Sequence, residues 1–584
     1  MKKANVIHIF TLVAIALVMA SCGGVKKMAK NSNLVLYKVT PEVLEMHDDA
    51  VAVNIVGTFP EKYFSKKAVV TITPVLKYEG GEKAYKPVVL QGESVELNNT
   101  SIAYEVGGDI DYSAAIPYTD DMKVSELVLK ITAEQGSKSI DFADVKIADG
   151  VVATPRLMQA DPKAYAGSTK KIKTTPSVYD PNASVFQRVV PDALTADLHY
   201  MIQQSGLRNS ELKKDDIKVM KEFLKTIKED DKIELDNIEI SSYASPDGEF
   251  ELNDKLSGRR GSQAEKFLNK ELKRKKITEA KIASKTTAED WDGFKEMVKK
   301  SDISDKDIIL RVLSMYSDAA VREEQIKNMA ATYEALAKDV LPELRRSKYN
   351  VNVNVIGKSD EEISAMAATS PDSLNRAELL YAATLTEDLD AKLAIYKAFS
   401  KNFSDDWRGP NNAGVIYLKK SDLENAKSSF GAAKDLDDNA FVLNNLGACD
   451  LLSNNFKGAE EYFSAALSAG KKASYNLGLV MIKKGHYSEA VNKMGECTSF
   501  NAALAKVLNG DNNGALKLLE DAENKDAMDY YLKAVVGART ANDELVFSSL
   551  KTAITKDATI AGKAKTDLEF FKYFEMGAFQ TIVK

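Results

Sequence analysis

The chain has 584 residues, too many for one hydrophobic core, and this length implies about three domains. Its hydrophobic fraction of 44% and charged fraction of 28% are ordinary for a soluble globular protein, and a net charge of -6 with a pI near 5.7 argues against nucleic-acid binding. Of the four histidines, His8 lies within the first 21 residues and His47, His199 and His486 are far apart; the cysteines are Cys22, Cys449 and Cys497. There is no HExxH, CxxC, Gly-rich phosphate loop or GxSxG elbow, so no metal, cofactor or enzymatic activity is expected.

The chain opens with Lys2 and Lys3, followed by an uncharged run over residues 9–20 built on Phe10, Leu12, Val13, Ile15, Leu17 and Val18. About a dozen apolar residues are too few to span a bilayer, which needs about 20, so residues 1–21 read as a secretory signal peptide. Residues 17–22, Leu-Val-Met-Ala-Ser-Cys, place small residues before Cys22, and two glycines follow it.

That cleavage region resembles a bacterial lipobox, with Met19 standing where the pattern prefers leucine. The resemblance implies that Cys22 is lipidated, the signal removed, and the chain held to a membrane by several acyl chains through a tether over residues 22–33. No aspartate follows Cys22, which by the family's sorting rule implies the outer membrane; residues 24–31 carry no acidic run, which implies its periplasmic face. Cys449 and Cys497 sit in separate helical segments and are expected to be small buried hydrophobes.

Residues 34–155 alternate in short β-branched stretches at 51–56, 68–76, 86–91, 101–106, 126–132 and 141–147, punctuated by Gly80-Gly81 and Gly107-Gly108. This spacing predicts an antiparallel β-sandwich, a spacer or docking module. Residues 156–192, with Pro162, Pro176 and Pro181 and a basic run at 170–173, read as a linker.

Between residues 193 and 358 the pattern predicts a strand at 196–202, a helix at 213–227, a strand at 238–243, a turn at 245–248, a helix at 253–272 and a closing strand at 349–355. Residues 242–261 read Ser-Tyr-Ala-Ser-Pro-Asp-Gly-Glu-Phe-Glu-Leu-Asn-Asp-Lys-Leu-Ser-Gly-Arg-Arg-Gly. This resembles the OmpA-like peptidoglycan-binding domain, whose signature is GHTDxxGxxxxNxxLSxxRA, with Gly248, Asn253, Leu256, Ser257 and Arg260 in register. The resemblance implies an α+β fold and recognition of a diaminopimelate side chain, with Arg260 gripping a carboxylate through its planar fork. The family's aspartate is Ser245 here, which supplies no charge; Asp247 either substitutes for it or merely caps the turn. Arg260 is likewise either the clamp or a solvated helix residue. Ser245, Asp247, Asn253 and Arg260 are the candidate peptidoglycan-binding residues.

From 370 to 584 the composition turns to alanine, leucine, lysine and asparagine with helical spacing. Asn412-Ala-Gly414, Asn445-Leu-Gly447 and Asn476-Leu-Gly478 recur 33 and 31 residues apart, each glycine followed 12 residues on by Ala426, Ala459 or Ala490. This is similar to tetratricopeptide repeats, in which small residues on two helices of a pair meet, and implies an all-α solenoid that binds a protein partner. Weaker repeats flank it at 379–399, 504–519 and 530–550. Asn412, Asn445 and Asn476 are candidate groove residues, placed to hydrogen-bond a partner backbone or to satisfy neighbouring helix ends.

Two functions remain open: an outer-membrane lipoprotein that links membrane, peptidoglycan and an envelope protein, or an assembly scaffold whose OmpA-like domain makes only protein contacts.

Overall fold

The computed structural model describes residues 24–167 and 186–584, so the signal peptide and Cys22 lie outside the described residues. Two compact units make up the chain, Met1–Gly167 with Asp405–Lys584, and Ser168–Ser404. Among the described residues no helix is long and apolar enough to cross a membrane.

In the first unit the amino-terminal module is all β. Its long strands are β1 (Ala50–Phe59), β2 (Val69–Tyr78), β3 (Gly108–Pro117), β4 (Ser125–Gln135) and β5 (Val145–Val152). Strand β1 pairs antiparallel with β3, and β4 pairs antiparallel with β2 and β5. The strand Val43–His47 joins the two sets, running antiparallel to β1 and parallel to β5. Burial alternates along β1, so Val51, Val53, Ile55 and Phe59 share one core with Val70 and Ile72 of β2 and Leu127, Leu129 and Ile131 of β4. Two parallel pairings, Val43–His47 with β5 and Val88–Gly92 with Thr100–Ile102, depart from the all-antiparallel expectation. The sequence reading misses β3 although Ile110, Tyr112 and Ile116 alternate with Asp109, Asp111 and Ser113, because Gly107-Gly108 reads as a turn where Gly108 already begins the strand.

The second unit carries a four-stranded sheet of β6 (Val189–His199), β7 (Ile233–Tyr243), β8 (Ile282–Thr287) and β9 (Arg346–Ile356) in the order β6-β9-β7-β8. Helices α1 (Asp215–Glu229) and α2 (Phe250–Lys275) cover the sheet: Ile217, Met220 and Leu224 of α1 and Ala264, Leu268 and Leu272 of α2 meet Leu198, Ile240, Val351 and Val353. Between β8 and β9 lie α3 (Trp291–Lys300), α4 (Lys306–Met315), α5 (Ala319–Lys327), α6 (Ala330–Asp339) and the single helical turn Leu341–Leu344, with their own small core around Phe294, Ile309 and Leu336. Strand β8 is absent from the sequence reading because only Ile282 in it is a large apolar residue; its place is fixed by parallel pairing with β7. Three further helices, α7 (Asp360–Thr369), α8 (Arg376–Ala382) and α9 (Leu389–Asn402), belong to this unit, so the weak repeat at 379–399 falls here and not with the solenoid.

The solenoid of the first unit is helical throughout, with five helix pairs, α10 (Arg408–Lys419) with α11 (Leu423–Leu436), α12 (Ala440–Leu452) with α13 (Phe456–Ala465), α14 (Lys471–Lys483) with α15 (Tyr487–Met494), α16 (Phe500–Leu508) with α17 (Asn512–Asp521), and α18 (Ala527–Arg539) with α19 (Asp543–Lys556), followed by the shorter helical segments Thr559–Thr566, Leu568–Tyr573 and Gly577–Ile582 that close the same core. Each second helix from α11 to α17 except α15 is capped by Asp422, Asn455 or Asp511, whose side chain accepts from the backbone three residues on. The turn before α15 reaches left-handed φ at Gly485 (+70), where glycine carries no Cβ penalty. The side chain nearest each repeat glycine is not the expected alanine, although a Cβ on Gly478 would also lie 3.3 Å from Ala490 O. A Cβ on Gly414 would lie 2.6 Å from Phe430, one on Gly447 2.8 Å from Phe463, and one on Gly478 2.7 Å from Met494. The partner is thus the large residue 16 positions on, one helical turn past the alanine. Cys449 is fully buried, but Cys497 is only half-buried, against the expectation for both.

Candidate functional site

The repeated asparagines line one face of the solenoid, and that face holds residues 159–167 of the same chain. Asn412 and Asn411 stand on α10, Asn445 and Asn444 on α12, Asn476 on α14 and Asn501 on α16, all at most 1% exposed. Buried carboxamides need partners for both their donor and their acceptor. Here they find them in a backbone.

The contacts are two-pronged. Asn412 Oδ1 accepts from Gly167 N at 2.7 Å and its Nδ2 donates to Gly167 O at 2.8 Å. Asn445 does the same to Tyr165, at 2.7 and 2.7 Å. Asn476 holds Lys163 at 2.7 and 2.9 Å, and Asn501 holds Gln159 at 2.9 and 2.9 Å. Between them Asn411 donates to Tyr165 O and to Asn412 Oδ1, and Asn444 donates to Lys163 O and to Asn445 Oδ1. Asn445 and Asn476 donate onward to Asn411 and Asn444, which links the carboxamides into a ladder. Held positions 163, 165 and 167 are two apart, the period of an extended chain.

Main-chain pairing alone reads no sequence, but two strap side chains and one glycine are also recognised. The Tyr165 hydroxyl donates to Ala469 O at 2.7 Å and accepts from Lys472 N at 3.2 Å. Its ring meets Phe441 edge-on at 5.1 Å, with the Lys472 ammonium 4.9 Å from its centroid. Asp161 accepts from the Tyr475 hydroxyl and from Asn501 Nδ2, each at 2.8 Å. A Cβ on Gly167 would lie 2.7 Å from Arg408 Cγ, and Arg408 is itself tied to Asp406.

The strap continues from the β-module. Leu157 and Met158 are buried in the solenoid core, Thr154 Oγ1 donates to Glu569, and His47 meets the Tyr487 hydroxyl at 2.7 Å. Residues 156–167, expected as part of a linker, are therefore docked. Asn412, Asn445 and Asn476 come together as the repeat suggests; Asn411, Asn444 and Asn501 are the members that sequence reasoning missed. The doublets Asn411-Asn412 and Asn444-Asn445, 33 residues apart, were the available signal.

In the second unit the four candidate peptidoglycan-binding residues converge on the end of β7 and the start of α2. Ser245 is 4% exposed and its hydroxyl donates to Asp247. Arg345, just before β9, donates through Nε to Ser245 Oγ at 3.1 Å and through Nη2 to Asp247 Oδ2 at 3.0 Å. Asn253 Nδ2 donates to Gly248 O at 3.0 Å and so braces the turn.

Arg260 is 1% exposed. Its Nη1 donates to Tyr243 O at 2.8 Å, Nε to Gln204 O at 3.1 Å and Nη2 to Met201 O at 3.4 Å, with the fork 5.2 Å from the Tyr200 ring centre. Burial pushes its pKa down to about 10. The guanidinium is thus buried, and the three hydrogen bonds it makes all go to backbone carbonyls. Beside Asp247 a cavity of about 10 Å³, large enough for about one water, is lined by Trp291, Glu323, Ile326 and Tyr333 of the α3–α6 insertion.

No protein-family model matches the chain, and no curated protein matches it in sequence. Solved structures do resemble part of it. A tetratricopeptide repeat protein from Parabacteroides merdae is 16% identical over 36% of this chain and 91% of its own, with a TM-score of 0.28. Pseudomonas aeruginosa PilF is 13% identical over 37% of this chain and 98% of its own, also at 0.28. YrrB, described as a tetratricopeptide repeat protein with an unusual peptide-binding site, is 20% identical over 35% of this chain and 100% of its own, at 0.22. These TM-scores are too low to bear on the chain as a whole, and the helix-pair solenoid rests on the packing described above.

Proposed function

We propose that the chain is a non-enzymatic scaffold of the bacterial envelope, anchored through Cys22 to the periplasmic face of the outer membrane, that acts by protein contacts. In this reading the central domain is OmpA-like in its signature and closed to peptidoglycan. The observation that supports it is the pairing of Asp247 with Arg345. Asp247, the carboxylate two residues past the position of the family's aspartate, is already neutralised, and three of the five Arg260 N–H donors are already taken by backbone carbonyls. A ligand would have to break a nearly buried ion pair to reach Asp247 and displace backbone carbonyls to reach Arg260, and both are costly.

A second reading, in which the domain grips peptidoglycan through Ser245, Asp247, Asn253 and Arg260, is favoured by the convergence of these four residues on one turn. Co-sedimentation of the whole chain with purified sacculi decides between them. The scaffold reading expects the protein to stay in the supernatant. Pelleting that is lost on Arg260→Ala in a chain that keeps the wild-type circular dichroism and melting curve would establish the tether instead. The anchor has its own test: Cys22→Ser should block incorporation of a palmitate analogue and release the chain from membranes.

A further inference from the structure

The asparagine ladder is satisfied by the strap, yet the strap underfills the groove. Beside it lies an open cleft of about 540 Å³, a volume typical of ligand sites, floored by Val415, Leu418, Leu423 and Leu452 and walled by Ala160, Pro162 and Ala164 of the strap. Ala164 already packs on the solenoid core formed around Val415, Phe430 and Leu446, so the backbone is held over an apolar floor that a methyl group cannot cover. The backbone of Lys163, Tyr165 and Gly167 is paired at both N–H and C=O while the side-chain space beside Ala164 is vacant.

We propose that the strap is a displaceable latch, and that the groove's incoming ligand is an extended partner segment. That segment has a large aliphatic residue where the strap has Ala164, then tyrosine, then glycine two residues further on. The ladder fixes main-chain register without regard to sequence. The Tyr165 socket and the Gly167 position fix which residues follow. The aliphatic side chain fills the cleft and gives the partner an advantage over the strap, at about 0.8 kcal/mol for each buried methylene. It needs one, because the strap is tethered and competes at an effective concentration of about millimolar. An identical segment supplied in trans therefore fails, and a better-filling one succeeds. This rests on the reading of the solenoid as a protein-binding element.

The test is fluorescence anisotropy of two labelled peptides with the full chain. One reproduces residues 157–167, and the other differs by Ala164→Leu. The leucine peptide is expected to bind at least tenfold more tightly than its parent. In a Tyr165→Ala chain, whose latch is weakened, both peptides should bind at least tenfold more tightly than to wild type, and adding Asn445→Ala should remove the gain. Equal binding of the two peptides, or binding that survives Asn445→Ala, overturns the proposal. So does a Tyr165→Ala chain that refuses both peptides and dimerises, since the occupant is then a second copy. Should Tyr165→Ala fail to fold, wild type alone decides by hydrogen exchange. With excess leucine peptide the amides of Lys163, Tyr165 and Gly167 must lose protection, and if they keep it the strap is a fixed brace. A chain that ignores both peptides and also stays off sacculi loses the latch but keeps the scaffold reading.

Discussion

The carboxamide of Asn445 and the backbone of Tyr165 pair at both ends, Oδ1 accepting from Tyr165 N and Nδ2 donating to Tyr165 O, each at 2.7 Å, across 280 residues of sequence. Removing one partner of a buried hydrogen bond leaves the other unsatisfied, at about 1–3 kcal/mol for each group. Asn445→Ala orphans Tyr165 N and Asn411 Oδ1, while Tyr165 O keeps Asn411. We expect a loss of about 2–4 kcal/mol, read as a lower urea midpoint, with Asn445→Asp at least as damaging because it sets an acceptor against Tyr165 O. A midpoint unchanged within error for Asn445→Ala would show that the ladder contributes nothing to stability.

Gly447→Ala should destabilise the solenoid although alanine is the better helix former. Propensity favours alanine by about 1 kcal/mol. The new methyl would sit 2.8 Å from the fully buried Phe463 ring, and overpacking costs about 1–3 kcal/mol. The net expectation is a loss of about 1 kcal/mol in thermal or urea unfolding. Gly431 on α11, whose Cβ would meet nothing within 4 Å, is the control: Gly431→Ala should be neutral or stabilising.

Asp247→Asn strands Arg345, whose side chain is 10% exposed, without its counter-charge. Breaking a buried pair costs about 3–5 kcal/mol, and the slight exposure here places the expectation near the lower end. Arg260→Lys should also destabilise the sheet domain, since an ammonium cannot reproduce the fork that reaches Tyr243 O, Gln204 O and Met201 O together. Differential scanning calorimetry of the two variants reads both effects. If either variant melts with wild type, that residue is not structural.

Asp529 supplies a pH test. Its carboxylate accepts from Asp526 N in the cap of α18, and burial raises its pKa above the ordinary 3.8. Because the folded value lies above the unfolded one, this position stabilises fully below the unfolded pKa and loses that contribution as pH rises through the folded one. Asp529→Asn keeps an acceptor and never titrates. Its stability relative to wild type should therefore be higher at pH 7 than at about pH 4. Urea midpoints at the two pH values that differ by the same amount, or in the opposite sense, contradict this assignment.

Local pattern made much of the architecture legible. Alternation located β1, β2 and β4, the 3.6-residue period located α1 and α2, and the asparagine and glycine spacing located the first three helix pairs, because each signal lies within one element and its immediate neighbour. The same locality explains the misses. Strand β8 has one large apolar residue and is defined by β7, and the partner of each repeat glycine is the side chain 16 residues on, visible only once the helices cross.

What the sequence by itself determined, then, is the type of most elements, the presence of a helix-pair repeat and the recurring asparagine on the first helix of three pairs. What fills the groove was decided by tertiary structure alone. A carboxamide offers the same donor and acceptor to any backbone, so nothing in Asn412, Asn445 or Asn476 points to residues 159–167, which lie 245 to 342 positions away from their ladder partners. Arg345 likewise stands 100 residues from Ser245, and only the closing of β9 onto β7 brings its charge to Asp247. Long-range pairing of this kind depends on which surfaces meet, and that is set by the packing of whole elements.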